Sequence, residues 1–151
     1  MSHTYVSALY HCVFSTKERR PLIPAALAER LFPYMGGIAR ENEMKVLEIG
    51  GTENHVHFLL SLPAPLALAK GIQLIKGGSS KWVHDTFGEE HTRFAWQEGY
   101  GAFSIGVSQI QHTIEYIRGQ QEHHSRKSFE EEFRAFLKEH WIEYDDAHVF
   151  G

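Results

Sequence analysis

The stretch Glu53-Asn54-His55-Val56-His57-Phe58-Leu59-Leu60-Ser61-Leu62-Pro63 leaves the chain few folds to choose from. At a strand's period of two, Val56, Phe58, Leu60 and Leu62 fall on one face, and His55 and His57 share the other. Such a strand must bury its aliphatic ladder under other elements. Two imidazoles then project side by side from the opposite face. Imidazole is a common ligand for divalent metals, and residues i and i+2 of a strand point the same way. The pair is therefore either half of a metal site or two polar residues on the wetter face of an ordinary strand.

The flanking sequence supplies partners for this strand. Tyr5 to Ser15 alternates, with Val6, Ala8, Tyr10, Cys12 and Phe14 on one face, and predicts a first strand. Leu27, Leu31, Met35 and Ile38 recur at three and four, which predicts a helix from Pro24 to about Asn42. Pro33 inside it predicts a kink or break. Met44 to Ile49 reads as a second strand, and Gly50-Gly51-Thr52 as the turn of an antiparallel hairpin into the histidine strand. Leu66 to about Phe87 reads as a second helix. Its Lys76-Gly77-Gly78-Ser79-Ser80-Lys81 run marks either a kink or close helix packing, or an approach surface for a sugar-phosphate backbone. Ala102 to Val107 reads as a fourth strand. Ser108-Gln109-Ile110-Gln111 has the form of a capping box opening a helix to about His123, with Ile110, Ile114 and Ile117 as its buried stripe. Ser128-Phe129-Glu130-Glu131 has the same form and opens a last helix carrying Phe133, Phe136 and Leu137. The order predicts one α+β domain over residues 1–151. Its plan is the ferredoxin-like split βαβ: an antiparallel sheet with helices on one face, plus C-terminal helices.

Composition narrows the function. A chain of 151 residues with 42% hydrophobic content can bury a core and is not a disordered tail. Its single cysteine, Cys12, excludes an internal disulfide and a cysteine-rich zinc module. No signal-peptide pattern and no membrane-spanning run is present, so a soluble intracellular protein is expected. The net charge of −4 is concentrated late: residues 129–151 hold 2 basic and 7 acidic residues, whereas residues 1–128 hold 13 and 12. The body is nearly neutral, and a basic nucleic-acid surface is not advertised. Arg19, Arg20, Lys76 and Lys81 are candidate DNA contacts by charge and position alone.

Beside the histidine pair stands a second candidate. Tyr116 and Gln120, four apart, share a helix face well around from the isoleucine stripe. A tyrosine hydroxyl is a possible nucleophile but a weak one at neutral pH. A divalent metal on His55, His57 and the Gln120 carbonyl oxygen would polarise a scissile phosphate beside it. Tyr116 has a plainer reading too, as a helical tyrosine covering apolar surface. No nucleophile-elbow or P-loop pattern occurs.

These blocks, in this order, resemble a known family. The carrying residues are Asn54-His55-Val56-His57-Phe58-Leu59-Leu60, Lys76-Gly77-Gly78-Ser79-Ser80 and Gly99-Tyr100-Gly101-Ala102-Phe103-Ser104. Tyr116-Ile117-Arg118-Gly119-Gln120-Gln121-Glu122-His123-His124 and Ser128-Phe129-Glu130-Glu131-Glu132 follow. The chain resembles the single-tyrosine HUH transposases of small insertion sequences, the TnpA-type proteins that include the REP-associated tyrosine transposases.

The resemblance implies a prokaryotic cytoplasmic enzyme. His55, His57 and Gln120 would hold Mg²⁺ or Mn²⁺. Tyr116 would attack single-stranded DNA at hairpin-forming element ends, leaving a 5′-phosphotyrosine link and a free 3′-hydroxyl. It also implies a homodimer with active sites shared between subunits. Two other classes stay open on the residues alone. One is a non-catalytic nucleic-acid-binding module of the RNA-recognition plan, which would want aromatics where the sheet has histidines. The other is a small metal-dependent phosphodiesterase using the histidine pair and water.

Overall fold

The structure, a computed structural model, describes residues 3–123 and 126–151; His124 of the tyrosine motif lies outside them. Four strands form one antiparallel sheet: β1 (Leu9–Ser15), β2 (Lys45–Thr52), β3 (His55–Ser61) and β4 (Gly101–Ile105), in the order β2-β3-β1-β4. Among the described residues five α-helices accompany them: α1 (Ala25–Glu41), α2 (Leu68–Phe87), α3 (Ile110–Arg118), α4 (Gln120–His123) and α5 (Phe129–Glu139). This is the expected split βαβ plan. The histidine strand is central, paired with β2 on one side and β1 on the other.

The period-two alternation divides the core cleanly. Val56, Phe58 and Leu60 of β3 and Cys12 and Phe14 of β1 face α1 and α2, where they pack with Leu27, Leu31, Ile72 and Ile75. On the opposite face Val13 and Phe103 pack with Phe129, Phe133 and Leu137 of α5. Leu9 and Leu59 pack there with Ile117 of α3. The C-terminal helices thus form a second layer over the face that carries His55 and His57.

Four local expectations are corrected. β1 begins at Leu9, not Tyr5; Tyr5 is 91% and Val6 54% exposed, so nothing is buried by extending the strand. α1 runs unbroken through Pro33. Pro33 lies on the exposed side, where water can take the carbonyl it leaves without an N–H. Gly50-Gly51-Thr52 is not a turn: all three lie in β2, Gly50 opposite His57 and Gly51 opposite Val56, and the chain reverses at Glu53-Asn54. Gly50 serves close approach instead, since a Cβ there would stand 2.8 Å from the Ile117 carbonyl oxygen. The α3 region also departs from a single capped helix. Gln109 Oε1 accepts from the Gly106 amide at 2.9 Å, a short 3₁₀ turn follows, and the helix ends at Arg118 before α4 restarts at Gln120.

Two expectations about helices hold. In α2, a Cβ on Gly78 would meet Ile38 Cδ1 at 2.9 Å, so Gly78 serves the packing of α2 on α1. Ser128 caps α5, its hydroxyl accepting from the Glu131 amide at 3.2 Å.

Candidate active site

His55 and His57 point from β3 into the layer under α3 to α5, and both are fully buried. Three further polar residues are buried with them. Gln120 comes from the start of α4, Glu132 from the first turn of α5, and His11 from β1. Each imidazole is held at both nitrogens. His57 Nε2 meets Glu132 Oε1 at 2.9 Å, and its Nδ1 meets His11 Nε2 at 2.8 Å. His55 Nε2 meets Gln120 Oε1 at 3.1 Å, and its Nδ1 meets Asn54 Oδ1 at 2.7 Å.

The hydrogen bonds around His55 favour one placement of its ring hydrogen. Asn54 Nδ2 donates to the Arg19 carbonyl, which leaves Oδ1 facing the imidazole. The Thr52 hydroxyl donates to that same oxygen at 3.1 Å. The Thr52 hydroxyl also lies 2.9 Å from His55 Nδ1, and since an amide oxygen only accepts, the Asn54 contact favours a ring hydrogen on that nitrogen. Gln120 Nε2 in turn donates to the Tyr116 carbonyl at 3.3 Å, which aims Oε1 at His55. A neutral His55 therefore turns the lone pair of Nε2 toward another acceptor 3.1 Å away. A proton on His55 Nε2 or a metal ion held between the two groups would each satisfy that contact.

His55, His57 and Glu132 each offer a ligand atom within 4.8 Å of the others, all buried. Imidazole nitrogens mixed with carboxylate and amide oxygens suit a borderline-hard divalent ion such as Mn²⁺. The donor set therefore fits a metal. It draws in the two histidines and Gln120 from the sequence expectation and adds Glu132.

Tyr116 reaches the same cluster. It is half-buried on α3, and its hydroxyl donates to Glu132 Oε2, the oxygen not facing His57. Its ring lies 5.7 Å from that of His57. Burial, and next the bond to the anionic Glu132, push its hydroxyl above the ordinary tyrosine range; the Gln120 hydrogen bond pulls weakly the other way. Burial likewise pushes His11 down to about 3, reinforced by His57 and opposed by Glu132. A cavity of about 270 Å³ opens beside Tyr116, lined among others by His11, His112, Phe136, Glu139 and His140.

The candidate DNA contacts do not converge on this cluster. The Lys76 ammonium donates to the carbonyls of Gln97, Glu98 and Gly99, closing the loop before β4. Lys81 pairs with Asp85 on the exposed side of α2. Arg20 pairs with Glu18. The Arg19 guanidinium lies over Phe150 at 4.8 Å, with Glu130 3.9 Å away. Arg19 is linked to the site through its carbonyl, which holds Asn54.

Two site residues escaped the sequence reading. His11 lies on the strand face opposite Cys12 and Phe14, a weak signal because the pairing of β1 with β3 is needed to bring it to His57. Glu132 is one of three consecutive glutamates opening α5, and only the docking of that helix singles it out.

Comparison with known proteins identifies the family and supports the fold. Residues 4–120 match the family described as transposase, IS200 like. The transposase for insertion sequence element IS200 of Salmonella typhimurium is 25% identical over 128 residues, covering 81% of this chain and 82% of its own length. The same holds for that of Salmonella typhi. Among solved structures, a candidate transposase from Deinococcus radiodurans R1 aligns with a TM-score of 0.63 at 18% identity, over 80% of this chain and 95% of that one. A REP-associated tyrosine transposase bound to a REP hairpin aligns with a TM-score of 0.56 at 15% identity, over 79% of this chain and 70% of that one. Fold and family together define a DNA-processing enzyme of the transposase class. The chain belongs to the IS200-like transposase family. Among the described residues no helix is long and apolar enough to cross a membrane.

Proposed function

We propose that this transposase cleaves and rejoins single-stranded DNA at hairpin-forming insertion-sequence ends, with Tyr116 as nucleophile. The observation that carries the reading is the double use of Glu132. One oxygen faces His57 and the other accepts the Tyr116 hydroxyl, so nucleophile and ligand cluster meet on one carboxylate. His55, His57, Glu132 and Gln120 would hold Mg²⁺ or Mn²⁺, which when bound polarises the scissile phosphate and neutralises charge developing on its oxygens.

The residues of the chain carry the remaining steps. Tyr116 gives its proton toward Glu132 as its oxygen forms a bond to phosphorus. The bond from phosphorus to the 3′-oxygen breaks, and that oxygen takes a proton from water to leave as a 3′-hydroxyl. The 5′-phosphotyrosine link conserves the phosphodiester energy. A 3′-hydroxyl then attacks phosphorus and gives its proton to water, the bond from phosphorus to the Tyr116 oxygen breaks, and Tyr116 takes back the proton held by Glu132. The cavity beside Tyr116 offers the strand a way in. The DNA partner draws support from the hairpin-bound structural neighbour.

A homodimer with shared sites is the finer arrangement suggested by the resemblance, but every member of this site comes from one chain. Sharing requires α3 to leave Glu132 and pass to a partner. Mixing Tyr116→Phe with His57→Ala protein tests this, because only exchange restores cleavage. A sedimentation coefficient for a 17.3 kDa monomer alone also counts against it.

The chemistry is tested with a labelled single-stranded element end and Mn²⁺. Wild type forms a covalent adduct and Tyr116→Phe forms none. An adduct with the phenylalanine variant removes the nucleophile assignment. Metal-dependent hydrolysis that survives Tyr116→Phe favours a phosphodiesterase.

A further inference from the structure

His55 and His57 share a face but are backed differently. Behind His55 Nδ1 stands Asn54 Oδ1, an oxygen that can only accept. Behind His57 Nδ1 stands a third imidazole, His11, which the proposed chemistry does not use. His11 projects from β1 diagonally across from His57: its direct partner on β3 is Leu59, while His57 stands opposite Val13. Its ring is 5% exposed and is held edge-on against Phe136 at 5.1 Å. The 2.8 Å contact between Nε2 of His11 and Nδ1 of His57 is therefore a fixed feature of the sheet.

Metal chemistry gives that contact a direction. An imidazole that binds a metal through Nε2 carries its ring hydrogen on Nδ1, and the group beside Nδ1 must accept it. We propose that His11 is a positioning residue for His57: its Nε2 lone pair accepts the His57 Nδ1 hydrogen and so presents His57 Nε2 toward Glu132 as a ligand. This rests on the metal reading of the His55, His57 and Glu132 cluster. His11 itself stays out of ligand range of that cluster, on the far side of the His57 ring. The two histidines then share one design, each with Nδ1 anchored and Nε2 turned inward, from two different anchors.

The test uses two substitutions at position 11. His11→Gln can place an amide oxygen near the present site of Nε2. His11→Leu fills similar space with no acceptor. The readout is Mn²⁺ affinity of the full chain by calorimetry, without DNA, alongside thermal unfolding. The expected result is a loss of roughly 10–100-fold for His11→Leu and near-wild-type affinity for His11→Gln. A leucine variant that binds Mn²⁺ like wild type overturns the proposal. So does a folded glutamine variant as weak as the leucine one, because an acceptor alone should rescue. Should wild type take up no Mn²⁺, with His55→Ala indistinguishable from it, the metal reading fails and this inference falls with it.

Discussion

The two faces of β3 are made by one alternating run, yet they obey different rules. Toward α1 and α2, Val56, Phe58 and Leu60 are dry and non-directional, and their contribution scales with buried area and fit. Toward α3 to α5, His55 and His57 are just as buried, but the contacts there are directional and depend on which nitrogen carries a hydrogen or faces a cation. The apolar face needs volume. The polar face needs partners, and it obtains them from four separate parts of the chain: β1, the hairpin turn, α4 and α5. Burial alone does not distinguish the faces; the number of satisfied directions does.

The largest expected effect breaks the comparison from the dry side. Phe58→Ala should lower unfolding free energy by about 3–5 kcal/mol in urea titration. His57→Ala should cost less, about 1–3 kcal/mol for partners left unmet, while abolishing the DNA adduct. Equal costs would mean the polar face is as important to stability as the core. Next, Mn²⁺ at a hundredfold excess over its dissociation constant should stabilise wild type by about 2.7 kcal/mol. The gain should vanish with a chelator and in the double variant His55→Ala/His57→Ala. It should also shrink as pH falls, because protons compete for ligand nitrogens. A gain retained in the double variant would place the ion elsewhere.

Gly50→Ala sharpens the comparison at the sheet itself. The new methyl must displace the Ile117 carbonyl, at a cost of about 1–3 kcal/mol. Tyr116 precedes Ile117, so cleavage should fall by more than stability explains; wild-type activity in a folded variant would show that α3 has play. The smallest effect is Ser128→Ala, which removes the cap of α5 for about 1 kcal/mol. Its signature is weaker Mn²⁺ binding, since Glu132 sits in that first turn.

Much of this was legible from residue order. Period-two runs and three-four spacings located every strand and the long helices, and the alternation put His55 and His57 on one face. What escaped was set by approach between distant elements. Gly50 and Gly51 look like a turn, but the space they leave is taken up by α3 and by the hairpin backbone. The helix from Tyr116 to Gln120 is interrupted at Gly119, so the two side chains work from separate helices. Glu132 cannot be told from Glu130 and Glu131 without knowing which side of α5 meets the sheet. His11 needs the register of β1 against β3 before its neighbour is His57.

The separation of Glu132 from His57 has a consequence in time. The two lie 75 residues apart, and α5 follows every strand in the chain. The sheet and its α1–α2 layer are built from residues that all precede α5 in the chain. Until α5 docks, the imidazoles of β3 have an open side and no carboxylate. Closing so long a loop comes late and slowly compared with forming the β2–β3 hairpin. Assembly thus ends at the site: Glu132 reaches His57 and Tyr116 only when α5 docks over the sheet.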